Sequence, residues 1–249
     1  MAELRLARAE DGGPEIFQSI QGEGRNAGRS RTFVRLSGCN LHCVWCDTAY
    51  TWNWVGTPFE HVRDQKYDPA ALMVKMDVSA VCDLALAADT EGLVITGGEP
   101  LMQSGAVASF AAEVKRRAPA RMIEIETNGT IAPGAELAAH VDLFTVSPKL
   151  AHSGNDATIA LKRETLAAFA ALDSAIFKFV AQSPADIEVI AELTASLGVD
   201  AHRVYVMPEG TSAATLDAHL HAIAPSAIAR GFNISDRLHI RLWGDKRGV

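Results

Sequence analysis

The chain has 249 residues, 48% of them hydrophobic, with four cysteines and a formal net charge of −7. That is enough chain for one α/β domain of barrel size, or two small ones, with a sizeable core. The acidic balance argues against a broad phosphate-binding surface, because nucleic-acid binders carry a basic face, and no run is apolar enough to cross a membrane. Residues Met1 to Gly13 are charged and carry no apolar signal segment. Closely spaced thiols in such a chain point to a reducing compartment, and the cytoplasm is the expected location.

Glu15 to Gly24 alternates weakly like an edge strand and ends in a Gly-rich turn around Glu23. Arg25, Arg29, Arg31 and Arg35 follow; such a cluster usually solvates a loop, but Arg35 lies inside the apolar strand Thr32 to Leu36. Ala49 to Pro58 is aromatic and irregular. Asp68-Pro69 opens a helical stretch expected to reach about Ala88, broken by Glu91-Gly92. Leu93 to Thr96 reads as a strand buried on both faces, as in parallel sheets. Gln103 to Arg117 is an amphipathic helix with Phe110 and Val114 on its apolar face. Met122 to Thr127 is a strand ending at Asn128-Gly129, a short helix lies near Pro133 to His140, and Leu143 to Val146 is the next strand. Ala151 to Ile159 is polar and reads as a surface loop. Lys162 to Leu172 is helical and Ala175 to Val180 a strand. Ser183 caps a helix with Pro184 in its first turn and Gly198 as its stop. Val204 to Val206 is a strand, Thr215 to Ala229 a helix, and Leu238 to Leu242 is expected to be the last strand.

No repeat or linker divides the chain, so residues 1–249 are expected to form a single domain. Alternating strands and helices predict βα units and a largely parallel sheet. Polar, Gly- or Pro-bearing motifs recur just after strands, following Leu36, Thr96, Thr127, Val146 and Val206. In parallel α/β folds ligands bind at those carboxyl ends.

The first of these motifs holds three of the four cysteines, Cys39, Cys43 and Cys46, at the spacing Cys-x3-Cys-x2-Cys. Thiolates so close select zinc, copper(I) or an iron–sulfur centre. Structural zinc sites are closed by four ligands. His42 is a poor fourth because it adjoins Cys43, and Cys82, in an apolar run far along the chain, reads as a small buried hydrophobe. Three ligands suit a cluster that keeps one iron free. Four further polar motifs at one sheet edge are not what a zinc knuckle predicts.

The loop resembles that of the radical S-adenosylmethionine (SAM) enzymes. There, three cysteines at this spacing hold a [4Fe-4S] cluster, the free iron binds SAM, and an aromatic residue in the place of Trp45 packs near the adenine. Thr96-Gly97-Gly98-Glu99-Pro100 looks like the segment of that family that meets the SAM amino group. Glu124 and Glu126 share one face of their strand; the resemblance gives this strand end a supporting role near the SAM ribose.

A narrower resemblance spans nearly the whole chain. Phe17 to Gly24, with Gln21-Gly22-Glu23-Gly24 as its discriminating part, then Arg35, Cys39 to Thr48, Thr96 to Pro100, Ser147 to Lys149, Met207 to Gly210 and the Trp243-Gly244 tail resemble the 7-carboxy-7-deazaguanine synthase (QueE) family. The resemblance implies an incomplete (β/α)6-type barrel, a radical SAM core with a reduced helix complement. The implied substrate is 6-carboxy-5,6,7,8-tetrahydropterin, contracted by radical chemistry to 7-carboxy-7-deazaguanine with loss of ammonia. Ile20, Gln21, Gly22, Glu23, Arg35 and Thr96 would hold the pterin, with His239 reaching it from the last strand. An arginine suits a bidentate carboxylate contact. Thr48 would bind Mg²⁺. Trp45, Cys46, Asp47, Gly98, Glu99, Ser147, Pro148, Lys149, Met207, Pro208, Glu209 and Gly210 would line SAM. A homodimer and an electron donor such as flavodoxin are further expectations. Two other readings are a radical SAM activase acting on a partner protein, which would not need Arg35 or the Gln-Gly-Glu-Gly element, and a zinc-stabilised interaction module without catalysis.

Overall fold

Seven strands run parallel, and their two faces differ in chemistry. The computed structural model describes residues 2–249. Its strands are β1 Glu3–Ala7, β2 Ile16–Ile20, β3 Ser30–Leu36, β4 Met73–Asp77, β5 Gly92–Gly97, β6 Met122–Thr127, β7 Leu143–Val146, β8 Ala175–Ala181, β9 Val204–Pro208 and β10 Asn233–Ile234. The helices are α1 Pro69–Leu72, α2 Val78–Ala87, α3 Ser104–Arg117, α4 Ala135–Ala138, α5 Ala157–Ala160, α6 Arg163–Ala170, α7 Pro184–Ser196, α8 Ala213–Ala229 and α9 Leu238–Trp243. The sheet order is β10-β9-β8-β7-β6-β5-β3-β1-β4, with β2 on β3. β3 and β5 to β10 are parallel; β1, β2 and β4 pair antiparallel at the other end. The two end strands do not meet, so this is an open α/β sheet, the incomplete barrel expected.

Alternation along the strands sets the faces. Val34, Leu36, Leu93, Ile95, Ile123, Ile125, Phe144, Phe177 and Val206 point outward into one continuous core with the helices. α3 contributes Val107, Phe110, Ala111 and Val114 to that core, all fully buried, at the 3.6-residue period of an amphipathic helix. The other face carries Arg35, Thr96, Glu124, Glu126, Thr145 and Lys178. The register sets Arg35 opposite Thr96 and Glu126 opposite Thr145. A polar inner face in a parallel sheet marks the place where something other than core is built. α7 begins as its sequence predicts, with the Ser183 amide donating to Asp186 Oδ2 at 3.0 Å.

Three expectations are corrected. The helix expected from Asp68 to Ala88 is split: α1 ends at Leu72, and Met73–Asp77 is β4, paired antiparallel with β1. The pattern through Val74 and Met76 suits a strand as well as a helix; Leu4 and Leu6 of β1, fully buried, supply an edge that only an extended segment can satisfy. The strand expected at Leu238–Leu242 is helix α9. Its alternation is misleading because Ile240 is buried while Leu242 is largely exposed, and β10 already occupies the sheet edge. The 151–159 segment is not merely a surface loop: it makes a short turn and enters α5, with Ser153 and Ala160 fully buried against the cysteine loop.

Candidate active site

β3 delivers the chain to the cysteine loop, and two glycines at the end of β5, Gly97 and Gly98, receive it. Gly97 has φ +115°, and a Cβ there would lie 2.2 Å from the Leu36 carbonyl oxygen. A Cβ on Gly98 would lie 1.9 Å from the Gly38 carbonyl oxygen. The Glu99 amide donates to that same Gly38 oxygen at 2.8 Å. Only glycine allows this close backbone approach.

Each loop sulfur has an N–H aimed at it. The Leu41 amide lies 3.4 Å from Cys39 Sγ, Asn155 Nδ2 lies 3.2 Å from Cys43 Sγ, and Trp52 Nε1 lies 3.3 Å from Cys46 Sγ. Such donors stabilise thiolates and tune a cluster they ligate. Burial works the other way, pushing the Cys43 thiol up to about 11 and raising Cys39 and Cys46 as well. Binding a cationic iron centre as thiolates would remove that penalty for all three cysteines. His42 is turned aside, its ring stacked on Phe59 with centroids 3.3 Å apart. Cys82 is fully buried in α2. The donor set therefore fits an iron–sulfur cluster that Cys39, Cys43 and Cys46 would hold with their three thiolates. Asn155 also accepts from the His42 amide at 2.8 Å, so the segment expected to be a surface loop braces the cysteines. Trp45 stacks on His152 and donates to its carbonyl at 3.0 Å.

All three cysteines open into one cavity of about 250 Å³ at the carboxyl ends of the strands. Trp45, Asp47, Thr48, Gly98, Ser147, Lys149 and Met207 to Gly210 line it with them. Ile20 to Glu23, Arg35, Thr96 and His239 line the same cavity. Two residues expected at the SAM site do not line it. Glu99 is fully buried, and its carboxylate accepts from the Leu101 amide (2.9 Å), Thr127 Oγ1 (2.8 Å) and the Asn128 amide (2.7 Å). With its oxygens so used, Glu99 braces the β5 and β6 turns instead of facing an ammonium group. Pro148 is buried behind the wall.

The polar wall is a network of charges. Gln21 Nε2 donates to Glu126 at 3.1 Å, and Thr96 Oγ1 donates to the other Glu126 oxygen at 2.7 Å. Glu124 is buried deeper, between Asn26 Nδ2 (2.9 Å) and Thr145 Oγ1 (2.7 Å). Burial raises its pKa, helped by Glu126. Glu23 forms ion pairs with Lys178 and with Arg237 Nε, the latter at 3.0 Å. Burial opposes its ionisation, but Lys178, Arg237 and His239 outweigh burial and hold its pKa well below the usual carboxylate range. Arg237 also pairs with Asp47 and donates to the Gly210 carbonyl at 2.7 Å. One guanidinium thus joins the Gln-Gly-Glu-Gly turn, the cysteine loop and the turn after β9. His239 packs on Gly22, where a Cβ would lie 2.0 Å from its Nδ1, and burial lowers its pKa.

Lys178, Arg237 and Asn155 are the residues that sequence reasoning missed. Lys178 left a signal: it is a lone charge inside the apolar run of β8, the feature that singled out Arg35 in β3. Arg237 and Asn155 left none, being polar residues in polar stretches.

Three sulfurs at the rim of an open α/β sheet, facing one cavity lined by charged, polar and apolar side chains, define a single-cluster enzyme. A family model described as a 4Fe-4S single cluster domain matches residues 20–162. The 7-carboxy-7-deazaguanine synthase of Pyrobaculum aerophilum is 35% identical over 236 residues, covering 94% of this chain and 95% of its own. That of Rhodopirellula baltica is also 35% identical, over 94% of this chain and 87% of its own. The crystal structure of QueE from Escherichia coli superposes with a TM-score of 0.66 at 23% identity, covering 95% of this chain and 94% of that one, and shares the fold. The chain belongs to the 7-carboxy-7-deazaguanine synthase family.

Proposed function

We infer that this chain contracts 6-carboxy-5,6,7,8-tetrahydropterin to 7-carboxy-7-deazaguanine with loss of ammonia, as a radical SAM lyase of 7-deazapurine (queuosine) biosynthesis. The observation that carries this reading is the meeting of the cysteine loop and the Gln21–Glu23/Arg35 wall in one cavity. When bound, the [4Fe-4S] cluster and SAM supply the carbon radical that removes a hydrogen atom from the substrate. Cys39, Cys43 and Cys46 would hold the cluster.

The residue roles are proposals of the same reading. Ionised Glu23 offers acceptor oxygens to the adjacent N–H donors of a pterin ring, which a neutral acid would serve less well. Arg35, from β3, lines the cavity and takes the substrate carboxylate. Trp45, Asp47, Gly98, Ser147, Lys149 and Met207–Gly210 would line SAM. Phe17, Leu41, Trp45 and Trp52 give the cavity apolar walls, which limit water and stray hydrogen donors. Thr48, on the cavity wall beside Cys46, is the proposed Mg²⁺ ligand; a hydroxyl is a hard donor of the kind that ion takes. One core that runs from Leu4 in β1 to Ala227 in α8 supports one radical SAM domain across residues 1–249. Among the described residues β2 pairs with β3 alone, which leaves an edge for a homodimer. Reduced thiols favour the cytoplasm, where a donor such as flavodoxin would supply the electron.

The test is anaerobic turnover of the carboxylated tetrahydropterin with SAM, reductant and Mg²⁺. Brown protein with about four irons per chain is expected, as one four-iron cluster requires. Arg35→Ala should abolish turnover while cluster content and SAM binding persist. Normal turnover by that variant would remove the substrate assignment, and colourless protein with stoichiometric zinc would replace it with the interaction module.

A further inference from the structure

Arg35 is not alone behind the cavity wall. Its Nε donates to Glu15 Oε1 at 2.8 Å, and its backbone amide to the Glu15 carbonyl at 3.1 Å. Glu15 is only 2% exposed. Tyr50 Oη donates to the same Oε1 at 2.9 Å. Arg247, from the segment after α9, donates to Glu15 Oε2 through Nε at 2.8 Å and again through a terminal nitrogen, which also reaches the Arg8 carbonyl. The Arg247 guanidinium lies over the Tyr50 ring, 3.6 Å from its centroid. The Arg35 side chain makes no other hydrogen bond among the described residues, so its two terminal nitrogens are left for a ligand.

We propose that Arg247 and Tyr50, acting through Glu15, are positioning residues that keep Arg35 aimed at the substrate carboxylate. The proposal rests on the reading of Arg35 given above. Its physical basis is charge counting. Arg35 with Glu15 alone is a neutral pair, and Asp47 nearby is neutralised by Arg237. Sharing Glu15 with a second guanidinium gives Arg35, Glu15 and Arg247 together one net positive charge, matching one carboxylate. Geometry works alongside charge: Glu15 fixes Nε while Tyr50 and Arg247 fix Glu15, leaving the outer edge of the Arg35 fork free for bidentate contact.

The experiment measures dissociation constants of the SAM-loaded, cluster-loaded protein for two probes, 6-carboxytetrahydropterin and unsubstituted tetrahydropterin. A merely structural role would weaken both equally; a positioning role changes their ratio. Arg247→Gln is expected to cut the preference for the carboxylated probe about tenfold or more, as loss of one member of a buried charge set does. Tyr50→Phe, which removes one hydroxyl and keeps the ring under Arg247, is expected to cut it about threefold, in keeping with one hydrogen bond. In an Arg35→Ala background neither change should lower the ratio further. Equal weakening of both probes, or an unchanged ratio, in Tyr50→Phe or in folded Arg247→Gln overturns the proposal. If Arg35→Ala itself leaves the ratio unchanged, the reading of Arg35 fails instead.

Discussion

Replacing Arg237 by alanine tests the central electrostatic claim about the site. The side chain is 9% exposed and serves Glu23, Asp47 and the Gly210 carbonyl together. Its removal strands the Asp47 carboxylate, halves the cationic company of Glu23 and leaves one buried carbonyl without a donor. Breaking a buried ion pair costs about 3–5 kcal/mol, and an unsatisfied buried carbonyl about 1–3 kcal/mol more. Lys178 remains with Glu23, and water can enter the cavity beside Asp47, so the loss should fall near the lower end of that sum, about 4 kcal/mol. Guanidinium unfolding of anaerobic holoprotein reads this as a lower midpoint at an unchanged slope. The same variant should weaken both SAM and pterin binding, because the three turns that meet at Arg237 each face a different part of the cavity. Arg237→Lys should not rescue it, since an ammonium cannot reproduce a fork that reaches three partners. An Arg237→Ala protein with an unchanged midpoint and unchanged affinities would refute the view that this guanidinium holds the site together.

Other outcomes follow from single contacts. Gly98→Ala places a methyl group 1.9 Å from the Gly38 carbonyl oxygen, so the backbone of the cysteine loop must shift. The variant should purify with a small fraction of the wild-type iron, read by iron assay against protein. Asn155→Ala removes the N–H on Cys43 Sγ and should lower the cluster's reduction potential, measured by anaerobic titration, because a sulfur relieved of a hydrogen bond carries more negative charge. For the acid limb, the folded pKa of Glu23 lies below its ordinary 4.5, so its ion pairs contribute fully above that pH. As pH falls below it, the unfolded chain binds the proton first and stability declines. Lys178→Met should bring the folded pKa back up and flatten this decline in urea midpoints measured from pH 3 to 5, about the span over which a carboxylate titrates.

What could be read along the chain was what is local. Cys-x3-Cys-x2-Cys places three sulfurs on one short loop whatever surrounds it. The strand-then-glycine pattern at Leu93–Gly98 identifies a ligand-bearing sheet edge, and a charge inside an apolar strand marks Arg35. α3 and α7 were legible for the same reason, since period and caps reside in consecutive residues. What was hidden depends on partners far apart. Glu23 meets Lys178 and Arg237 across 155 and 214 residues, and Glu15 meets Arg247 across 232. Met73–Asp77 extends only because β1 offers it an edge, and Leu238–Trp243 coils because β10 has already taken one. Glu99 looked like a ligand to SAM because its motif sits at the right strand end, yet the Asn128 turn claims its oxygens. The covalent neighbourhood determined which chemistry this protein carries. The choice of the charges that share a buried cavity, and of the carboxylates left free to meet a ligand, was made only when the sheet brought distant side chains within hydrogen-bond reach, where a buried charge must find a partner.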